Sequence, residues 1–251
     1  MIILEKITFS YPGSSTCVLN NLTVSFEKGS VNVLLGLNGA GKTTLFDIIT
    51  GTYEPNSGKI FNKPDVSQIV YQTQSGVMSF LLNGKDYVRL IHKLSGIDYC
   101  NDAEKMQKRY YFDTEREKQL FLDLWNRRIG NMSVGERRWL YVTVLSQLNR
   151  GLYIFDEPTT GIDPLSRLKI YKRIEKLTIQ KDAIVVFSTH HLHELRDLKC
   201  KLFVLNKGSI YFEGSYNQFI KHYDTDNPDI AFERCITFPN TYNLKERGVI
   251  Q

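Results

Sequence analysis

Gly36-Leu37-Asn38-Gly39-Ala40-Gly41-Lys42-Thr43-Thr44 is the stretch that decides the fold of this 251-residue chain. It fits G-x-x-x-x-G-K-[ST], with Gly36, Gly41, Lys42 and Thr43 at the fixed positions. The apolar run before it, residues 30–35 (SVNVLL), reads as a buried strand. The run after it, TTLFDIITG ending at Gly51, reads as the start of a helix. Strand, glycine loop and helix N-terminus are the context in which this pattern captures anions. Free backbone N–H groups at the loop and the helix start point at phosphate oxygens, and the helix dipole adds to them. Glycine lets the backbone come close and take dihedrals that other residues avoid. Lys42 supplies a point charge for the outer phosphates, and the Thr43 hydroxyl is placed to ligate Mg²⁺.

Working outward, composition sets the class. Hydrophobic residues make up 42% and charged residues 24%, as in an ordinary globular protein able to bury a sizeable core. The formal net charge of +5 is mild, and no long run of basic residues occurs, so no nucleic acid partner is expected. A mild positive balance suits work beside an anionic membrane face. No stretch of about 18 apolar residues encodes a membrane span. The first ten residues alternate around Glu5 and Lys6 and read as a strand rather than a leader. Cys17, Cys100, Cys200 and Cys235 are far apart with no C-x-x-C pair, which favours reduced thiols over a metal or disulfide framework. These features together suggest a cytosolic chain.

Strand patterns at residues 2–11 and 18–26 precede the glycine loop, with turns at Tyr11-Pro12-Gly13 and Glu27-Lys28-Gly29. Short strands are expected at 59–61 and 66–71, the latter ending at Gln72. From about 73 to 131 strand signals vanish and helical spacing appears at 85–94 and 113–129. There Phe112, Leu120, Phe121, Leu124 and Trp125 can share one apolar face, read as core or docking surface. Ser133 followed by Glu136 makes a capping box opening a helix over 132–147. Buried strands are expected at 152–155 and 183–187. Helices are expected from Asp163-Pro164 to about 178, over 191–198 and over 216–222, with a hairpin around Lys207-Gly208. The stretch beyond about 225 shows no clear periodicity. Alternating strands and helices imply an α/β fold with a mainly parallel central sheet.

The strand Leu152-Tyr153-Ile154-Phe155 ends in Asp156 and Glu157. At the C-terminal tip of a parallel strand beside a phosphate loop, Asp156 would hold Mg²⁺, directly or through water. Glu157 would reach a water behind the γ-phosphate as general base or water-orienter.

With these motifs in order, the chain resembles the nucleotide-binding subunit of an ATP-binding cassette transporter, over roughly residues 2–215. The resemblance implies a P-loop NTPase (RecA-like) core, an N-terminal antiparallel β subdomain and an inserted α-helical subdomain. Residues 1–225 would be the cassette, with the helical insertion at 73–131 and a tail at 226–251. It implies that Tyr11 stacks on adenine and that Gly36 to Thr44 form the Walker A loop. Gln72 would be the Q-loop glutamine, contacting Mg²⁺ or the attacking water. Met132-Ser133-Val134-Gly135-Glu136 match the signature motif, whose Ser133 and Gly135 address the γ-phosphate of a second subunit's ATP. Asp156 and Glu157 match Walker B and its catalytic glutamate. Asp163 lies in the D-loop, coupling two sites across a dimer, and His190 is the switch histidine that bonds the γ-phosphate and holds Glu157. The chain departs from the family in the signature motif, where LSGGQ reads MSVGE. A β-branched residue tolerates positive φ poorly, so Val134 is expected at the helix start with ordinary φ.

The resemblance further implies an ATPase with ATP and Mg²⁺, peripheral on the inner face of a membrane. Its partners would be a permease on a separate chain and a second nucleotide-binding subunit in a head-to-tail homodimer. The wording of the Walker A and D-loop stretches resembles exporters of drugs, antibiotics or peptides. An importer ATPase remains open, as does a soluble cassette in an assembly complex such as iron–sulfur cluster assembly. The transported molecule is not encoded in this chain.

Overall fold

The structure, a computed structural model, describes residues 1–74 and 79–238, the Leu165 side chain excepted. Buried Ile2 and Leu4 alternate with outward-facing neighbours, the signature of a strand with one face on a core. β1 (Ile2–Ser10) pairs antiparallel with β2 (Cys17–Phe26). β3 (Val31–Leu35) is buried at every position, as a strand covered on both faces must be. α1 (Lys42–Thr50) follows the glycine loop and stops at Gly51, which takes the left-handed φ of 83°. β4 (Ser57–Phe61) then returns to β1, giving a three-stranded sheet of order β2-β1-β4.

β5 (Ile69–Gln72) leads towards a helical stretch of α2 (Gly84–Leu94), α3 (Ala103–Arg109) and α4 (Glu115–Trp125). α5 (Val134–Leu145), β6 (Leu152–Phe155), α6 (Pro164–Gln180) and β7 (Ile184–Thr189) follow. The described chain closes with β8 (Cys200–Asn206), β9 (Ser209–Ser215), α7 (Tyr216–His222) and α8 (Pro228–Thr237). The second sheet has the order β5-β6-β7-β3-β8-β9, parallel throughout except for the β8–β9 pair. Phe155 stands beside both Gln72 and Phe187, and Leu35 beside Thr189. The C-terminal ends of β3, β5, β6 and β7 therefore share one edge, where open α/β sheets place their ligands.

Three apolar clusters hold these layers. On one face of the large sheet, Val33, Tyr153 and Val185 pack with Val142 of α5, Ile170 and Ile174 of α6, and Phe219 of α7. On the other, Leu34, Ile154 and Val186 pack with Leu45 and Phe46 of α1 and with Leu4 and Phe9 of β1. Fully burying one such side chain contributes about 1.5–3 kcal/mol. The third cluster joins Val88, Met106, Phe121, Leu124 and Trp125 of the helical stretch to Trp139 and Leu140 of α5. Phe112 and Leu120 pack against it, so the aromatic stripe of 113–129 is core. α5 thus divides its side chains between the sheet and the helical stretch. Arg173 of α6 adds a second tie, 3.3 Å from Glu117 of α4 and donating to the Tyr111 carbonyl at 3.0 Å.

Two local expectations change. Residues 191–198 hold only the 3-10 turn His193–Leu195, not a helix. The His191 N–H is taken by the Thr189 hydroxyl, and the Glu194 side chain is engaged with α6. Residues 66–68 form a 3-10 turn ahead of a shorter β5. α3 falls within the expected helical insertion without being singled out there, and α8, in the stretch without clear periodicity, inserts Ala231 and Cys235 into the sheet's first cluster. The end of the expected tail, 239–251, lies outside the described residues.

Candidate functional site

The glycine loop leaves β3 through positions where a side chain has no room. A Cβ on Gly36 would lie 2.5 Å from the Leu205 carbonyl oxygen. Gly41 has φ 106°, and a Cβ there would lie 2.9 Å from Leu19 Cδ2. Gly41 is also the N-cap of α1 and offers no side-chain cap, and the first turn carries no acidic residue. The first N–H groups of α1 are therefore left for an anion. Lys42, 6% exposed, turns its Nζ back into the loop. It donates to the Gly36 carbonyl at 2.8 Å and the Leu37 carbonyl at 3.2 Å.

β6 delivers two carboxylates to this loop. Thr43 Oγ1 donates to Asp156 Oδ2 at 2.6 Å, and Ser188 Oγ donates to Asp156 Oδ1. The same Ser188 oxygen accepts the Glu157 N–H at 2.8 Å. Glu157 has φ 47°, in the left-handed region that costs a non-glycine residue energy and that functional sites often retain. Its side chain is 4% exposed but richly contacted. Oε2 accepts from Thr160 Oγ1 at 2.8 Å and Gln74 Nε2 at 3.2 Å, with His190 Nδ1 at 3.4 Å. Lys42 Nζ stands 3.4 Å from Oε1. Burial pushes the Glu157 pKa up, but the Thr160 hydrogen bond and the nearby Lys42 and His190 outweigh it, and the net direction is down. Glu157 is therefore ionised at neutral pH.

These groups surround a cavity of about 500 Å³, within the usual range for small-ligand sites. Tyr11 and Val18 line one side, the loop residues Asn38, Gly39 and Gly41 to Thr44 another, and Gln74 and Glu157 the end. The Tyr11 hydroxyl meets Thr44 Oγ1 at 2.8 Å, and its ring stands edge-on to Phe9 and Tyr53. That holds an aromatic face at the cavity without closing it. A larger cavity of about 1000 Å³ lies among His193, Tyr216, Lys221 and Asn227. It holds none of the expected residues, so chemistry rather than size selects the site.

A second cluster stands apart from that cavity. Ser133 caps α5: its hydroxyl accepts the Glu136 N–H at 3.1 Å, while Glu136 Oε2 accepts the Ser133 N–H at 2.7 Å. Val134 is the first residue of α5 and is not among the residues with positive φ. A Cβ on Gly135 would lie 3.4 Å from Ser166 Oγ and 3.6 Å from Asp163 Oδ2. Ser133 and Gly135 thus neighbour the loop containing Asp163, and none of the three lines the cavity. Glu136 spends its charge inside its own chain, on the cap and on Arg127 Nη1 at 2.8 Å. Glu136→Gln keeps the cap and loses the ion pair. Because that pair is partly exposed, urea denaturation is expected to register a loss below about 1 kcal/mol. A loss well above that would show that the ion pair, rather than the cap, holds the turn.

Of the remaining expected residues, Gly36 and Leu37 act through the carbonyls that hold Lys42, while Ala40 is buried in the loop. Buried Asp156 and exposed His190 do not line the cavity and are joined to it through Thr43 and Glu157. Gln72 is at the end of β5, buried, and neither its amide nitrogen nor its amide oxygen has a hydrogen-bond partner among the described residues. Gln74 was not anticipated from sequence. It lines the cavity, bonds Glu157, and has its carbonyl held by the Arg138 guanidinium of α5. Its only signal is a second glutamine two positions after the first. Thr160 was missed as well, though it follows the strand-end carboxylates closely.

Mg²⁺ fits the donors present. The Thr43 hydroxyl and Asp156 carboxylate are hard oxygen ligands already adjacent, and Gln72 brings an unpartnered buried amide from the neighbouring strand end. A bound Mg²⁺ would neutralise charge on the outer phosphates.

Comparison with known proteins agrees with this chemistry. The family model described as "ABC transporter" matches residues 19–160. Protein McbF of Escherichia coli is 31% identical over 229 residues, covering 88% of this chain and 89% of McbF. ABC transporter A family member 8 of Dictyostelium discoideum is 27% identical over 226 residues, covering 86% of this chain. There the chain spans only 26% of the relative's length. Among solved structures, the ATP-binding subunit of an ABC transporter superposes with a TM-score of 0.75 at 22% identity, covering 94% of this chain and 99% of that one.

Proposed function

The chain belongs to the ABC transporter family and carries its ATP-binding cassette, and from that premise we propose that it hydrolyses Mg²⁺-ATP to power a permease on a separate chain. The observation that carries the hydrolytic reading is the convergence on one cavity of Thr43, bonded to Asp156, and of an ionised Glu157. Triphosphate at the loop would draw Lys42 Nζ from the Gly36 and Leu37 carbonyls towards the outer phosphates. The same movement takes the lysine from Glu157 Oε1 and frees that oxygen to accept a proton from, or orient, the attacking water. His190 and Gln74 on Oε2 keep the carboxylate aimed.

Ser133 and Gly135 do not line the chain's own cavity. That separation supports a head-to-tail homodimer in which each chain's α5 N-terminus closes the other's site. Mg²⁺ and Tyr11 stacking on adenine are part of the same reading. No described helix is long and apolar enough to cross a membrane; a permease partner and a peripheral position on the membrane's inner face belong to the same reading. Export of a drug, antibiotic or peptide is the direction we favour, from the wording of the loop sequences. Detergent extraction from the host tests the partner: a multi-span membrane protein should co-purify with the chain. Recovery in a purely soluble complex would overturn the transporter reading and favour an assembly factor.

A further inference from the structure

Tyr171 of α6 is buried and lies outside the nucleotide cavity, yet its hydroxyl joins the loops that carry Glu157 and His190. Tyr171 Oη donates to Glu194 Oε2 at 2.8 Å. A phenol has one proton to give, so at the same oxygen it accepts from Thr159 Oγ1, 2.9 Å away. The result is a directed chain of hydroxyls, Thr159 to Tyr171 to Glu194, ending on a carboxylate. Such chains strengthen when they are buried. Glu194 Oε1 in turn pairs with Arg167, and Arg167 Nη2 donates to the Ile162 carbonyl at 2.9 Å.

The anchor points are significant. Thr159 is two residues beyond Glu157, and Ile162 immediately precedes Asp163. Glu194 is four residues beyond His190. The segment from Glu157 to Asp163 is therefore pinned at both ends to α6, and α6 is pinned to the loop after β7. The Tyr171 ring is itself fixed by stacking on Phe187 of β7, with ring centroids 5.2 Å apart. A small shift of either loop would change the His190 to Glu157 approach, which stands at 3.4 Å.

We propose that Tyr171, acting with Glu194 and Arg167, is a positioning residue that sets Glu157 against His190, so that turnover depends on it while nucleotide affinity does not. The proposal rests on the ATPase reading above. None of the three residues lines the nucleotide cavity, so they act only through the loops they hold.

Tyr171→Phe removes one oxygen and keeps the stacked ring. On the purified full chain, kcat for Mg²⁺-ATP is expected to fall about tenfold, with KM within about twofold. Binding of a fluorescent ATP analogue and thermal stability are measured alongside. Glu194→Gln should show the same split. The double variant should lose no more than the worse single one, since residues acting as one unit are not additive. Unchanged kcat in both single variants would overturn the proposal. So would losses that multiply in the double variant, or a fall in kcat matched by a loss of nucleotide binding. Glu157→Gln separates this from failure of the underlying reading. If the parent chain turns over and Glu157→Gln does not, the ATPase reading stands whatever Tyr171→Phe does. A parent chain without turnover overturns both.

Discussion

Glu157→Gln is expected to bind Mg²⁺-ATP about as well as the parent chain, to dimerise on it, and to turn over at least about a hundredfold more slowly. The amide has nearly the size of the carboxylate and can keep an oxygen facing Thr160 and the Gln74 amide. It cannot take a proton, and it no longer attracts Lys42 or His190. Lys42 would then be more available to phosphate, which favours ATP binding while the water step is lost. Size-exclusion chromatography with and without ATP, beside a phosphate-release assay, reads both halves. Retained turnover would remove Glu157 from the base or water-orienting role. The depressed pKa also fixes a sign. Glu157 contributes stability above its ordinary value of 4.5, and that contribution is lost as pH falls through its lower folded value. The Gln variant should therefore lack that part of the parent's acid sensitivity.

The residues that carry the chemistry are legible in the sequence because their constraints are local. Gly36 and Gly41 are fixed by one close approach each, and Ser133 with Glu136 by a cap closed within a single turn. β6 and β7 declare themselves by apolar runs buried at every position. Where meaning depends on distant partners, reading fails. Nothing in the sequence separates Gln72, the last residue of β5, from Gln74 in the turn beyond it; they are distinguished by which of them reaches Glu157. α3 buries one residue, Met106, and so shows no periodicity. α8 follows an Asn227 cap and Pro228, a start signal present in the sequence, but it buries only Pro228, Ala231 and Cys235 while Ile230 stays exposed, so its large apolar residues do not mark the buried face. Residues 191–198 have helix-like spacing, but Thr189 and Tyr171 claim the groups that a helix would have used or left outward. The valine of the signature motif is the opposite case. Its expected ordinary φ at the helix start is what the structure has, because the Ser133 cap places the non-helical turn one residue earlier.

Lys42→Met is expected to fail at the other end of the same reaction. Methionine is unbranched, one atom shorter than lysine and close to it in volume, so the packing under Gly36 and Leu37 is largely preserved. The charge is what disappears. A charge-assisted hydrogen bond to phosphate contributes about 1.5–3 kcal/mol, so Mg²⁺-ATP affinity should fall by roughly one to two orders of magnitude. ADP, with one phosphate fewer for the lysine to meet, should lose less. Glu157 also loses a cation 3.4 Å away, so its pKa should move back up towards the ordinary value. Thr160 and His190 remain, and the carboxylate stays partnered. Titration with fluorescent ATP and ADP analogues reads the difference directly. Equal losses for the two nucleotides would place the Lys42 contact on the inner phosphates. Wild-type affinity for both would show that Lys42 is a strut holding the Gly36 and Leu37 carbonyls and not a phosphate ligand. The two variants thus divide the cavity physically. One keeps ATP without turnover, and the other loses ATP before turnover can begin. Lys42 and Glu157 can serve both steps because each stands within reach of the other, 3.4 Å apart, at the same cavity.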